Sequence, residues 1–336
     1  MAQQSMKSSG VMSAAEAKRI AKRSGKKTAR NRFKKSLSLY ALLIPGLFMI
    51  ILFHYVPMYG LAIGFKKYNI FLGNSPFDAI RLSPWVGLAN WSKLWIQSKF
   101  RQAIINTFVI SAMKIVIGFP IPIILALMIN EVRGTITKRV LQTVMYLPHF
   151  ISWVVIAGLV YKMLDSETGI VNTIIEALGG EAIPFMREPQ YFWGIIIIVA
   201  IWKELGWNTI IYLAALSAIP PEQYEAAIVD GANGRQRLWY ITLPSIAPTI
   251  GLMLIMTVGN LVNGNGGIGF DAVYNLRNAL LYTKANTLDY FIFSEGILNN
   301  KLSYATALGL AQGVVSLILV MTANATSRKL QGYGAF

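Results

Sequence analysis

Apolar residues fall along this chain in long uncharged blocks, without the alternation of a half-buried strand or the single apolar stripe of a soluble amphipathic helix. Ser36 to Phe65 contains no Asp, Glu, Lys or Arg, Gln102 to Asn130 contains only Lys114, and Pro189 to Pro221 is interrupted only by Lys203 and Glu204. Val140 to Tyr161, Leu238 to Phe270 and Leu302 to Ser327 are equally free of these four residue types. A helix needs about 20 apolar residues to cross roughly 30 Å of hydrocarbon. The blocks therefore predict six spans, near Leu39 to Tyr59, Asn106 to Met128, Val140 to Tyr161, Phe192 to Leu213, Ile246 to Val262 and Leu302 to Ser327. The expected fold class is an all-α integral membrane protein.

Composition supports this and narrows the chemistry. Of 336 residues, 54% are hydrophobic and 14% charged, against about 25% charged in soluble domains. The absence of cysteine excludes disulfides, thiolate metal sites and iron–sulfur clusters, and two histidines, His54 and His149, leave little for a histidine-rich metal site. The net charge of +16 is mainly local, because residues 1 to 35 hold 11 Lys/Arg against one acid. This tail has too few apolar side chains to offset its ordering entropy, and nucleic-acid binding would interleave aromatics where only Phe33 is present. It is expected to be disordered and cytoplasmic by the positive-inside rule. The apolar run after it is too long for the core of a cleavable signal and lacks a small-residue cleavage site.

With the N-terminus inside, six spans put the basic connections Glu131 to Arg139 and Ser217 to Pro244, and the end bearing Arg328 and Lys329, on the cytoplasmic side. Leu164 to Gln190, with five acids and Arg187, falls outside. Gly60 to Arg101 dissents, since it is external yet carries Lys66, Lys67, Arg81, Lys93, Lys99 and Arg101. Long connections translocate largely regardless of charge, and Tyr68, Phe71, Trp85, Trp91 and Trp95 suit a segment on the membrane interface. The expected organisation is a basic tail (1–35), a first span with its external segment (36–101), a transmembrane core (102–327) and a cytoplasmic C-terminal tail (328–336).

Ser217 to Pro244 reads SAIPPEQYEAAIVDGANGRQRLWYITLP, too polar to cross the membrane. Pro220 and Pro221 open a helix, where a missing N–H costs nothing, and Tyr224, Ala227 and Ile228 give it an apolar face. Gly231 permits a turn with positive φ. A second short helix, about Arg235 to Trp239, is expected before Pro244 and the next span. The protrusion is shaped to dock a partner.

The spacing Glu225-Ala226-Ala227, three residues, Gly231, nine residues, Ile241, one residue, Leu243-Pro244 resembles the EAA signature of membrane subunits of ATP-binding-cassette importers. Its place, about 100 residues from the C-terminus, also suits that family. The phrases PMYGLAIGFKKYN, SPWVGLANW, GWNTIIYLAALSAIPPEQYEAAIVDGA and KLQGYG resemble the permeases of its carbohydrate branch, particularly those for polysaccharides or complex oligosaccharides. The resemblance implies a five-helix core plus one N-terminal helix. It also implies a second permease, two ATP-binding-cassette ATPase subunits and an external solute-binding lipoprotein, at a bacterial plasma membrane with both termini cytoplasmic. By the same resemblance Glu225 pairs with a basic residue of the ATPase, Ala226 and Ala227 let the helix sit deep in its cleft, and Gly231 makes the turn. Arg235, Ile241, Leu243 and Pro244 complete the coupling set, with Arg235 and Arg237 read equally as topology charges. The chain is expected to be a transport subunit and not an enzyme, with no cofactor or metal of its own and ATP used by its partners.

The remaining patterns are less specific. No G-x-x-x-x-G-K-[ST] phosphate loop occurs, so ATP-driven transport draws its energy from another subunit. Gly264, Gly266 and Gly269 spell G-x-G-x-x-G but follow a span and lack the strand–turn–helix context of a dinucleotide site. Asn260, Asn263 and Asn265 suit an external loop beside a path for hydroxyl-rich solutes. Lys114, Lys203 and Glu204 need a cavity or a partner inside the membrane; Lys203 and Glu204, being adjacent, point in different directions on a helix. Trp202 and Trp207, with Asn208, are candidate substrate contacts, although interfacial belts use the same aromatics. Pro120, Pro122 and Pro148 are candidate kinks. The signature carries no information about cargo, so an importer permease for another solute, such as an amino acid or a polyol, stays open. An ion-coupled secondary transporter would instead show inverted repeats and a midplane ion site.

Overall fold

The computed structural model describes residues 40–92, 97–262, 264 and 268–331. The basic tail, Lys93, Trp95, Asn263, Asn265, Gly266 and the closing GYGAF lie outside the described residues. Among those described, the β contact is an isolated antiparallel bridge between Lys66 and Trp85. The chain divides into two units, Met1–Leu61 and Ala62–Phe336.

Five described helices are long and apolar enough to span a membrane: α1 (Tyr40–Phe65), which begins in the first unit, α2 (Ser98–Asn130), α5 (Pro189–Ser217), α7 (Gly234–Gly259) and α10 (Leu302–Lys329). A sixth crossing is a bent pair, α3 (Thr135–Phe150) and α4 (Trp153–Met163), meeting at 97°. Between the spans lie α6 (Pro221–Val229), α8 (Phe270–Leu276) and α9 (Leu288–Phe293).

The expected third span, Val140 to Tyr161, is not continuous, and it breaks next to the candidate kink Pro148. Pro148 withdraws an amide donor and starts a 3-10 turn at Leu147–Phe150. Ile151 is then extended, and Ser152 caps α4 by accepting from the Val155 N–H. The short helix expected at Arg235 to Trp239 is not separate either, but forms the first turns of α7. Asn233 and Gln236 close a reciprocal capping box that starts the helix at Gly234.

The helix then runs through Pro244 by widening into a π-turn at Leu238–Thr242, whose Leu238 carbonyl is taken by the Leu243 N–H. In α2 a π-turn at Lys114–Gly118 precedes Pro120 in the same way, with the Phe119 N–H bonded to the Lys114 carbonyl at 3.0 Å. In both spans the π-turn thus lies just ahead of a proline.

Apolar burial does not drive helices together in lipid, so close packing must. Buried side chains of α2, α4, α5, α8 and α9 form one cluster around Ile110, Ile156, Phe192, Ile196, Val273 and Tyr290. A second joins α2, α9 and α10 through Phe100, Phe291 and Leu308, and a third joins α2, α5 and α7 through Ile129, Leu216 and Ile246. Gly206 of α5 lies directly on the backbone of α3: a Cβ there would collide with the carbonyl of Met145 and lie 2.9 Å from the Tyr146 nitrogen.

Candidate coupling segment and solute cleft

Helix α6 begins with Pro221 at its first position and ends in a Schellman turn. The Ala232 N–H bonds to the Ala227 carbonyl at 2.8 Å, the Gly231 N–H to the Ile228 carbonyl at 3.0 Å, and Gly231 adopts φ +77°. The Tyr224 and Thr242 hydroxyls meet at 3.0 Å, tying α6 to the start of α7. Tyr224, Ile241 and Leu243 pack on the third cluster with Leu216 and Ile246. These anchors leave Glu225, Ala226, Arg235 and Pro244 exposed and Ala227 half-buried. Val229, on the same helix as Glu225, is 87% exposed, and Tyr240 of α7 is 80% exposed. The signature residues therefore divide: Ile241 and Leu243 fasten the segment, while Glu225, Ala226 and Arg235 face outward.

A cleft of about 230 Å³ opens between α2, α5 and α7. It is lined by the π-turn of α2, with Lys114 and Phe119, by Glu204, Asn208 and Tyr212 of α5, and by Met253, Thr257 and Asn260 at the far end of α7. Of the candidate substrate contacts, Asn208 and Asn260 line this cleft. Trp202 and Trp207 do not, and Asn263 lies outside the described residues. Trp207 stacks on the His149 ring with centroids 4.4 Å apart, and His149 Nδ1 lies 2.8 Å from Glu204 Oε2.

Lys203 faces away from the cleft. Its Nζ donates to the carbonyls of His149 and Ile151, the latter at 2.9 Å, and reaches that of Pro148 at 3.5 Å. It thus holds the break between α3 and α4. As expected from adjacency, Lys203 and Glu204 serve different partners, although Nζ and Oε1 approach to 3.9 Å. The sequence reading missed His149; its signal was a ring nitrogen pair inside an apolar block.

A model of the binding-protein-dependent transport system inner membrane component family matches residues 118–330. The chain belongs to this family. Protein LplB of Bacillus subtilis is 39% identical over 303 residues, covering 90% of this chain and 92% of that protein. The polygalacturonan/rhamnogalacturonan transport system permease protein YteP of the same organism is 40% identical over 298 residues, covering 89% and 90%. The crystal structure of a bacterial ABC transporter importing the acidic polysaccharide alginate contains a chain 37% identical to this one, with a TM-score of 0.80 over 90% of this chain and 99% of that one. A second alginate transporter structure, solved with a pentasaccharide-bound periplasmic protein, matches with a TM-score of 0.80 at 36% identity. The chain is accordingly a multi-pass permease subunit of an ABC importer, and the expected all-helical family fold is the one observed.

Proposed function

We propose that this chain forms half of the translocation path of an ATP-driven oligosaccharide importer and draws its energy from separate ATPase subunits through α6. The observation that carries the reading is mechanical. The exposed, Schellman-closed α6 is bolted by Tyr224, Ile241 and Leu243 to the ends of α5 and α7, the two spans that present Asn208 and Asn260 to the cleft. A push on α6 moves those spans as rigid bodies, because packed helices switch between discrete arrangements. Glu225 supplies the outward charge for a basic partner residue, and Ala226 brings the helix close to that partner.

Carbohydrate as cargo is supported by the similarity to the alginate transporter and to the polygalacturonan/rhamnogalacturonan permease YteP. The cleft also sets amide groups beside the aromatic rings of Phe119 and Tyr212, a lining suited to hydroxyl-rich rings. In this reading both termini are cytoplasmic. The partners are a second permease, two ATPases and an external solute-binding lipoprotein, and ATP is bound by the ATPases.

The test is gentle co-purification of the tagged chain from its native host, wild type beside Glu225→Ala. Recovery of an ATPase and a second permease with the wild type, and depletion of the ATPase in the variant, is the expected result. Absence of any ATPase from the wild-type preparation overturns the reading.

A further inference from the structure

Arg101, one of the basic residues that break the positive-inside pattern in the first external segment, lines a second cavity. Arg101, in the first turns of α2, and Lys284, between α8 and α9, line a space of about 470 Å³ with the polar side chains of Ser98, Gln102 and Thr283. That is within the roughly 300–1,000 Å³ of ligand pockets.

The site is built rather than incidental. Asn106, buried in α2, donates to the carbonyls of Thr283 and Asn286 at 3.0 and 2.9 Å, and Asn286 donates to the Lys99 carbonyl at 3.2 Å, locking the two walls together. Lys284 is positioned by Trp193, whose indole N–H donates to the Lys284 carbonyl at 3.1 Å and whose ring lies 3.8 Å below the ammonium.

Among the described residues neither Arg101 nor Lys284 is in an ion pair. Among the described residues the ion-paired carboxylates are Asp78, Glu204 and Glu295, whose partners are Arg81, His149, Lys203 and Lys301. Glu16 is the only acid outside the described residues. Two cations, Arg101 and Lys284, beside a hydrogen-bonding cavity make a lining suited to an anion.

We infer that this cavity binds the carboxylate of an acidic saccharide, a uronate unit of the cargo, at the entrance to the path. This rests on the importer reading and its membrane orientation. The rival source of an anion is a phospholipid headgroup, but a lipid site needs an apolar groove for acyl chains and Ile105 is the one aliphatic side chain in this lining. The charge at Arg101 is then retained for cargo, which explains why it contradicts the topology rule.

The test uses the full chain in phosphatidylcholine nanodiscs, titrated with tri-galacturonate and with its methyl ester. The expected result is that wild type binds the free acid at least ten-fold more tightly than the ester. Arg101→Gln with Lys284→Gln should abolish that preference without lowering the unfolding temperature, and Arg101→Lys should keep most of it. Equal affinity for both trimers in the wild type, or an unchanged preference in the double variant, overturns the anion site and leaves the importer reading standing. Binding of neither trimer to the wild type overturns the anion site, and the importer reading, whose path needs a second permease, is judged by the co-purification above. Displacement of the acid trimer by added phosphatidylglycerol assigns the cavity to lipid and overturns the saccharide proposal.

Discussion

His149 Nδ1 and Glu204 Oε2 meet at 2.8 Å, joining the broken third crossing to the helix that carries the cleft. Against a carboxylate the ring nitrogen is the donor, and the stacked Trp207 ring keeps the imidazole from swinging away. Glu204 thereby turns one oxygen to α3 while its side chain borders the cleft. Hydrogen bonds to charged groups contribute about 1.5–3 kcal/mol. Glu204→Leu is expected to lower the thermal unfolding temperature of the purified protein, with a loss of about 2 kcal/mol, whereas Glu204→Gln retains an acceptor and loses less. Equal unfolding temperatures for the two variants would show that the bond contributes nothing.

Lys203 performs a task that no neighbour duplicates, collecting carbonyls freed where α3 turns by 97° into α4. A buried polar group left unsatisfied costs roughly 1–3 kcal/mol. Lys203→Met keeps the length and removes the donors, so it should destabilise the protein by about 3 kcal/mol and make the amides after Ile151 exchange faster. Hydrogen exchange followed by mass spectrometry reads this directly. Unaltered exchange around residues 147–155 would remove Lys203 from the bend.

The spans were legible because uncharged blocks of the right length have few alternatives in a bilayer, and α6 was legible because Pro220, Pro221 and Gly231 mark its two ends locally. The bend was not. Pro148 signals a weak point, but the group that stabilises a sharp turn there is Lys203, 52 residues beyond Ile151, and sequence spacing does not reveal such a contact. The fusion of Arg235 to Trp239 with α7 had a local signal that was passed over, the Asn233-x-x-Gln236 capping pattern. Of the cleft, Asn208 was readable as a polar companion of Trp202 and Trp207 inside an apolar block, and Asn260 as a polar residue of the loop that follows another. Lys114 reaches the same space through a π-turn that shifts the helical register, which a 3.6-residue repeat does not anticipate.

Gly206 and Gly194 offer a paired test of close packing on one helix. A Cβ at Gly206 collides with the backbone of Met145, which has no flexible end to yield, while a Cβ at Gly194 meets nothing within 4 Å. Overpacking costs about 1–3 kcal/mol, and Ala gains up to about 1 kcal/mol over Gly in a helix. Gly206→Ala should therefore destabilise by roughly 2 kcal/mol and Gly194→Ala should be neutral or slightly stabilising in thermal unfolding. The reverse order would mean that α3 and α5 do not touch at this glycine.

Asp289 accepts from Gln312 at 2.6 Å and from the Gly264 N–H at 2.9 Å. Burial nevertheless pushes its carboxyl above the ordinary value of 3.8, against the opposing effect of these hydrogen bonds. A raised acid binds its proton more tightly folded than unfolded, so ionising it costs stability. That cost is absent below pH 3.8, grows as pH rises toward the folded value, and is complete above it. The unfolding temperature of wild type relative to Asp289→Asn is expected to improve as pH falls from 7 to 4. A difference that stays constant over this range would show that folding does not raise the Asp289 carboxyl.

Gly231 separates coupling from folding. Its φ of +77° costs a side-chained residue about 1–2 kcal/mol, yet a Cβ there meets nothing within 4 Å, so substitution strains the backbone without a clash. Relief of that strain breaks the bond from the Ala232 N–H to the Ala227 carbonyl and rotates the end of α6, on which Glu225 and Val229 depend for their outward aim. Gly231→Ala should insert and unfold nearly as the wild type does but couple ATP hydrolysis to uptake less well. Gly231→Val should couple worst, and Gly231→Asn best of the three, because Asn tolerates the left-handed region. Solute-stimulated ATP hydrolysis by the assembled transporter in proteoliposomes gives the ranking. Identical stimulation in all three variants would mean that the geometry of this turn does not govern coupling.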